Sequence, residues 1–439
     1  MNNTLKVHID TFGCQMNKLD SELVLGEMLR NGFHKATSRE DADVILLNTC
    51  SVRRRAEEKV YSRLGSLKSS KQQRPQLIIG VIGCMAQNEK DRIFEKARHV
   101  DLVCGTSEIA NLPDIVRDLS NSREQTLCVE EGEVHFGPRV PANRARRHQA
   151  FVSIMRGCDN FCSYCIVPHV RGREKSRPVK DIVAECVSLA DDGVKEITLL
   201  GQVVDSYGKS LKDGTTLASL LEAVHQVDGL LRIRFVTSHP RHVSNELIDT
   251  MASLPKVCHH IHMPAQSGSD RILKAMHRGY TSDQYREVVN KARQMMPDLQ
   301  IGGDFIVGFP SETDKDFRET ERLLDEVRFQ NCFIFKYSPR PGTHAAELED
   351  DVPIEEKKAR NQKLLSLQEN ISRERNRSFV GKTVEVLVDG PSKTKPNRLS
   401  GRTAGNDIVV FDGDVEMTGC LVSVMITDTT PLTLFGNTV

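Results

Sequence analysis

At 439 residues, 38% hydrophobic and 27% charged, the chain has the composition of a soluble globular protein and length enough for two or three domains. Its 60 basic and 60 acidic side chains cancel, which excludes a globally polycationic binder of nucleic acid or membrane and leaves such preferences to local patches. Twelve cysteines, an opening "MNNTLKVHID" without an apolar leader, and no run of bilayer length set the expectation of a reducing cytoplasm. There, clustered thiols serve metals or catalysis rather than disulfides.

The first region alternates apolar runs with helix-like stretches. "KVHIDTFGC" precedes "NKLDSELVLGEMLRNGF", "DADVILLNTC" precedes "RRRAEEKVYSRLGSLK", "QLIIGVIGC" precedes "MAQNEKDRIFEKA", and "VDLVCG" precedes "EIANLPDIVRDLS". This predicts an α/β domain over 3–120, a parallel sheet with helices on its faces. Each of its first three strands ends in a cysteine: Cys14, Cys50 and Cys84. Open α/β sheets bind ligands at the carboxyl ends of their strands, so three remote thiols are expected at one edge. Pro- and Arg-rich residues follow in "GPRVPANRARR", and a linker is expected over 121–143.

From 144 to 375 the alternation resumes with "AFVSIM", "EITLLG", "RIRFVTS", "HHIHMP", "QIGGDFIVG" and "NCFIFKY". Six such units predict a partial (β/α)6 barrel whose chemistry sits at the carboxyl ends of its strands. Directly after its first strand comes "RGCDNFCSYC", with Cys158, Cys162 and Cys165. A charged helix near 355–377 closes this region. Short strands between Gly, Pro and Asn turns then predict a small β-barrel over 376–439.

A closed zinc site takes four ligands, and "RGCDNFCSYC" supplies three. Three thiolates can instead hold three irons of a 4Fe–4S cluster and leave the fourth open. Cys-x3-Cys-x2-Cys at the mouth of a partial barrel, with Tyr164 between the last two cysteines, is similar to the radical S-adenosylmethionine signature. In that superfamily the open iron chelates the methionine moiety, and reductive cleavage gives a 5′-deoxyadenosyl radical. A zinc site or buried free thiols are the alternative. Cys104, Cys128, Cys186, Cys258, Cys332 and Cys420 are isolated and are expected to pack as small hydrophobes.

Gln202, Ser238, His239, Gln266 and Asp304 fall at or just past strand ends. With Tyr164 they are the candidates to bind S-adenosylmethionine or a substrate base, helix capping being the alternative for Ser and Asp. The cations Arg139, Arg144, Arg146, Arg147, Arg156, Arg171, Arg173, Lys175 and Arg177 flank the second trio against only Asp159 and Glu174. They suggest a path for a phosphate backbone, with a solvated face as the alternative.

The motifs "FGCQMN", "NTCSV", "IGCMAQ", "RGCDNFCSYC", "SHP", "QSGSDRIL", "DFIVGFPSET" and "LSGRT" resemble the methylthiotransferase family over essentially the whole chain. The resemblance implies an N-terminal methylthiotransferase domain, a radical S-adenosylmethionine barrel and a C-terminal TRAM domain. It implies two 4Fe–4S clusters: one on Cys158, Cys162 and Cys165 that binds S-adenosylmethionine, and an auxiliary, sulfur-carrying one on Cys14, Cys50 and Cys84.

Gln15, Met16 and Asn17 after the first cysteine resemble the tRNA-modifying branch, whereas the branch acting on a ribosomal protein aspartate usually has Pro-Lys there. The implied reaction is methylthiolation of carbon 2 of N6-(dimethylallyl)adenosine immediately 3′ of the anticodon, using two S-adenosylmethionine. The alternatives are another modified adenosine, a ribosomal protein aspartate, or an RNA-binding module with structural metal. Implied partners are the tRNA anticodon stem-loop and a reductant such as flavodoxin or ferredoxin. A cytoplasmic monomer is expected. One departure stands out: the family pattern "GQNVNSY" reads "GQVVDSYG" here, with Val203 and Asp205 in place of two asparagines.

Overall fold

Continuous apolar strands need helices on both faces of a parallel sheet, and Val44–Thr49 and Ile78–Gly83 are buried along their whole length. The computed structural model describes residues 5–51, 54–122, 124–129, 144 and 147–439. Six parallel strands lie in the order His34–Lys35, Lys6–Phe12, Val44–Thr49, Ile78–Gly83, Leu102–Cys104 and Thr126–Cys128. Alternate residues feed two cores. Ile45, Leu47, Ile79 and Val81 face Val60 and Leu64 on one side, while Leu46, Ile78 and Leu102 face Val24, Met28 and Val116 on the other.

The chain leaves Lys6–Phe12 toward His34–Lys35 and returns on the other side as Val44–Thr49, so the topological switch point lies between those two central strands. Cys14 caps the start of the helix Gln15–Arg30, Cys50 directly follows Val44–Thr49, and Cys84 opens the helix Cys84–Glu89. Thr126–Cys128, read from sequence as linker, instead extends the sheet by pairing with Leu102–Cys104. Three residues of strand among polar neighbours carry no period long enough to read.

In the barrel region Gln149–Ser153, Glu196–Leu200 and Arg232–Val236 form one parallel sheet. His260–His262, Gln300–Val307 and Asn331–Lys336 form a second. A parallel bridge between Ile233 and Val257 joins them into the six-stranded partial barrel. Helices Val179–Asp191, Leu217–His225, Asn245–Ser253, Ser282–Met295, Asp314–Val327 and Ile354–Arg377 lie between and after the strands. Thr216, Ser244, Thr281 and Thr313 cap four of them, each accepting a first-turn N–H, worth about 1 kcal/mol apiece.

The two ends of the barrel are covered by different domains. Met16 and Leu19 of the first helix pack on Leu200, Phe151 and Val236, which places the N-terminal domain over the strands' carboxyl ends. The C-terminal strands Thr383–Pro391, Leu399–Arg402, Ile408–Asp412, Leu421–Thr429 and Leu434–Thr438 close into a five-stranded barrel. That barrel docks at the strands' starting ends. Arg232 donates to the Arg402 carbonyl at 2.7 Å, Arg234 to the Thr403 and Ala404 carbonyls at 2.6 and 2.8 Å, and Gln149 to Asp389 at 3.1 Å. Among the described residues no helix is long and apolar enough to cross a membrane.

Candidate functional site

Cys14 is held by its own helix start. Its Sγ lies 3.1 Å from Asn17 Oδ1, Asn17 Nδ2 donates to Asn48 Oδ1 at 3.1 Å, and Asn48 Nδ2 returns to the Asn17 carbonyl at 2.9 Å. Both asparagines are fully buried, so the "FGCQMN" and "NTC" motifs clasp each other beside Cys14 and Cys50. Gly13 makes the turn, with φ +137°; a Cβ there would stand 2.4 Å from Cys50 Cβ. The hydrogen bond from Cys50 holds the exposed Cys14 thiol down at about 6, helped by the charge of Arg171. Burial pushes the Cys84 thiol up. Cys84 packs against Ile166 and Val170 of the barrel domain, and Ile166 directly follows Cys165. One member of the sheet-edge trio thus packs against the segment that follows the local trio, at the interface of the two domains.

A buried ion triad spans this interface. Asp20 of the first helix receives Arg171 Nη2 at 2.8 Å on one oxygen and Arg156 Nη2 on the other. Arg171 Nε donates to Cys84 Sγ at 3.2 Å. Sequence reasoning missed Asp20 and counted both arginines as surface charge.

The local trio is tied to the barrel by its loop. Ser163 donates its N–H to the Met276 carbonyl at 3.1 Å and its hydroxyl to the Ala275 carbonyl at 2.8 Å. Gly157 has φ +75°, and a Cβ on it would fall 2.0 Å from the Arg173 carbonyl. Tyr164 packs with Ile272, Met276, Phe309 and Tyr337. Arg278 reaches Cys162 Sγ at 3.3 Å, the Pro264 carbonyl at 3.0 Å and the Tyr280 hydroxyl at 3.3 Å, joining the loop to the strand ends. Burial pushes Cys158 up to about 11 and Cys165 up to about 12. Among the described residues no three His, Cys, Asp or Glu side chains stand close enough to share one metal ion. Cysteines of a cluster each take a different iron and do not need to converge on one point.

The five polar candidates share a property. Gln202 Oε1, Ser238 Oγ, His239 Nε2, Gln266 Oε1 and Asp304 Oδ1 are each buried without a hydrogen-bond partner. Leaving such an atom unpaired costs about 1–3 kcal/mol, so five at one barrel mouth mark a place for a polar ligand. Their strand ends are laced together: Ser238 N–H to the His262 carbonyl at 2.8 Å, and Gln266 N–H to the Asp304 carbonyl at 2.8 Å. Gln266 adopts φ +68°, a strained backbone of the kind that gathers at binding sites. His239 Nδ1 accepts the Arg241 N–H at 3.3 Å, so the neutral ring carries its proton on Nε2. Burial and the Arg278 charge push this imidazole down to about 2.

Asp205, where the family pattern has asparagine, accepts the His239 N–H at 2.8 and 3.1 Å, and burial pushes its carboxyl up to about 7. An asparagine side-chain oxygen, as in the family pattern, is equally able to accept that N–H. Asn160 and His242, also missed from sequence, tie the cysteine loop to this turn at 3.2 Å.

Of the seven described cations of the basic flank, four are internal. Arg144, Arg156, Arg171 and Arg177 are buried; Arg144 pairs with Asp192, and Arg177 with Glu185 at 2.7 Å. Arg147, Arg173 and Lys175 are exposed, and Arg173 pairs with Asp159 at 2.7 Å; Arg139 and Arg146 lie outside the described residues. For the four buried arginines both expectations, a path for a phosphate backbone and a solvated face, are corrected, and only the exposed three remain available to either. Of the isolated cysteines, Cys104, Cys186, Cys258 and Cys332 are buried, Cys128 is half-buried and Cys420 is exposed.

These features define a radical S-adenosylmethionine protein, and residues 152–324 match that superfamily. Residues 6–105 match the family described as Uncharacterized protein family UPF0004, and residues 377–439 match the TRAM domain. The radical S-adenosylmethionine methyltransferase TsrM from Kitasatospora setae shares the fold, with a TM-score of 0.56 at 12% identity over 78% of this chain and 74% of that one. The tRNA-2-methylthio-N(6)-dimethylallyladenosine synthase of Moorella thermoacetica is 48% identical over 95% of both chains. That of Syntrophotalea carbinolica is 48% identical over 96% of both. The chain belongs to the family of tRNA-2-methylthio-N(6)-dimethylallyladenosine synthases.

Proposed function

We propose that the protein methylthiolates carbon 2 of N6-(dimethylallyl)adenosine immediately 3′ of the anticodon in tRNA. The product is 2-methylthio-N6-(dimethylallyl)adenosine, formed with two S-adenosylmethionine and sulfur from an auxiliary cluster. The observation that carries this reading is the packing of Cys84, from one trio, on the helix that follows Cys165, from the other. When bound, the two 4Fe–4S clusters and S-adenosylmethionine supply a radical able to break an unactivated C–H bond and a sulfur to take the hydrogen's place.

The residues bind, orient and exclude water. Cys158, Cys162 and Cys165 hold the radical-forming cluster, and Cys14, Cys50 and Cys84 the auxiliary one. Gln202, Gln266 and Asp304 offer acceptors, His239 Nε2 a donor, and Ser238 either, to S-adenosylmethionine or the adenine. Tyr164 braces the cysteine loop. The first helix over the barrel mouth keeps water from the reacting groups. In this reading the working units are 3–120, 144–375 and 376–439, the tRNA anticodon stem-loop is the substrate, and flavodoxin or ferredoxin is the reductant of a cytoplasmic monomer.

The test is mass spectrometry of nucleosides from prenylated and unprenylated anticodon stem-loops incubated with reconstituted protein, S-adenosylmethionine and reductant. Methylthiolation of the prenylated loop alone is expected. Equal modification of both removes the prenyl requirement, and modification of a ribosomal protein aspartate instead overturns the tRNA substrate.

A further inference from the structure

Among the described residues, two buried arginines touch cysteine sulfurs, and they are satisfied differently. Arg278 spends Nη1 on Cys162, Nη2 on Pro264 and Nε on Tyr280. Arg171 spends Nε on Cys84 and Nη2 on Asp20, while its Nη1 is buried with no partner. Arg171 is 7% exposed, and its guanidinium acts electrostatically on both Cys84 and Cys14. The charges nearby are already matched, Arg171 and Arg156 sharing the carboxylate of Asp20 and Arg171 facing the Cys14 thiolate, so the unmet demand is the Nη1 hydrogens alone. A buried unpaired N–H is costly, and a hydrogen-bond acceptor in reach of Nη1 satisfies it.

We infer that Arg171 positions an anionic sulfur ligand, a hydrosulfide or alkanethiolate, at the auxiliary site, Nη1 facing that sulfur while Nε holds Cys84. The inference rests on Cys14, Cys50 and Cys84 holding the auxiliary cluster. Ligation of an already deprotonated sulfur would involve no change of oxidation state: its lone pair would be donated to the open iron and no bond within the ligand would break. Arg171 is thus a positioning residue, and its planar fork is what lysine lacks.

The experiment uses the full chain carrying Cys158→Ala, Cys162→Ala and Cys165→Ala, so that only the auxiliary cluster is present. Methanethiolate is titrated while the reduced cluster is followed by electron paramagnetic resonance, with iron and sulfide contents measured alongside. Arg171→Met is expected to weaken methanethiolate retention about tenfold or more, in the range seen when outer-shell partners of metal ligands are removed. Arg171→Lys, which keeps the charge, is expected to fall between. Retention as tight as the parent's in either cluster-loaded variant overturns the assignment. Should Arg171→Met fail to load a cluster, the lysine variant alone decides. A parent without iron and sulfide removes the auxiliary-cluster reading itself, and that outcome is distinct from a loaded cluster indifferent to residue 171.

Discussion

The two cysteine trios are built in opposite ways. Cys158, Cys162 and Cys165 come from one loop, anchored to its own domain through Ser163 and Arg278. Cys14, Cys50 and Cys84 come from three chain segments around the switch point of a separate sheet, and their outer contacts cross a domain interface through Asp20, Arg156 and Arg171. A local trio depends on one loop's conformation. A distributed trio depends on the sheet's register and on the docking of two domains. The difference matters because the proposed chemistry needs the distributed site beside the local one, and a domain interface can bring sulfur and radical together in a way one loop cannot.

The sharpest way to break the comparison is to empty each trio in turn. Replacing Cys158, Cys162 and Cys165 with Ala should abolish 5′-deoxyadenosine formation and leave the auxiliary cluster loaded. Replacing Cys14, Cys50 and Cys84 should spare some reductive cleavage and eliminate methylthiolation. Chromatography of the products, with iron analysis, reads both. Loss of all cluster absorbance in either triple variant means the sites are not independent.

A smaller effect should separate the trios through the interface alone. Asp20→Ala leaves Arg156 and Arg171 buried without their carboxylate, a change that costs about 3–5 kcal/mol when a buried pair is broken. Denaturant unfolding should show it as a lower midpoint. Iron content should fall by the auxiliary cluster's share while the radical-forming cluster is kept. If both clusters are lost together, the contrast between local and distributed anchoring is wrong.

The smallest effect is in thiol reactivity before clusters are loaded. The Cys14 thiol sits at about 6, against about 11 for Cys158 and about 12 for Cys165. At pH 7 Cys14 is therefore mostly thiolate and the other two are mostly protonated. Alkylation by iodoacetamide should favour Cys14 about thirtyfold or more, allowing for the weaker nucleophilicity of a low-pKa thiolate. Lowering the pH below 6 should slow Cys14, and only strongly alkaline pH should raise the other two. Peptide mass spectrometry after timed quenching checks this, and equal labelling at pH 7 would refute it.

Both trios, the α/β alternation and the closing small barrel were legible in the sequence because they are local signals. Short-range spacing, strand-ending cysteines and period-two runs need no knowledge of the rest of the chain. Gln202, Ser238 and His239 stand just past the ends of strands read from sequence and Gln266 four residues past one, whereas Asp304, expected at a strand end, lies inside Gln300–Val307. Their shared lack of partners was not legible, because it depends on neighbours from other strands.

Charge gave the clearest failure. Arg144, Arg156, Arg171 and Arg177 read as a solvent-facing basic run, yet each is buried. The carboxylate that takes Arg156 and Arg171 lies 136 and 151 residues away, in another domain. Sequence alone determined which side chains are candidates for the chemistry and, for most of them, the strand they follow. Tertiary structure decided which charges face inward and which sulfur an arginine touches. An ion's environment is fixed by what packs around it, and packing partners distant in the chain leave no trace in local sequence.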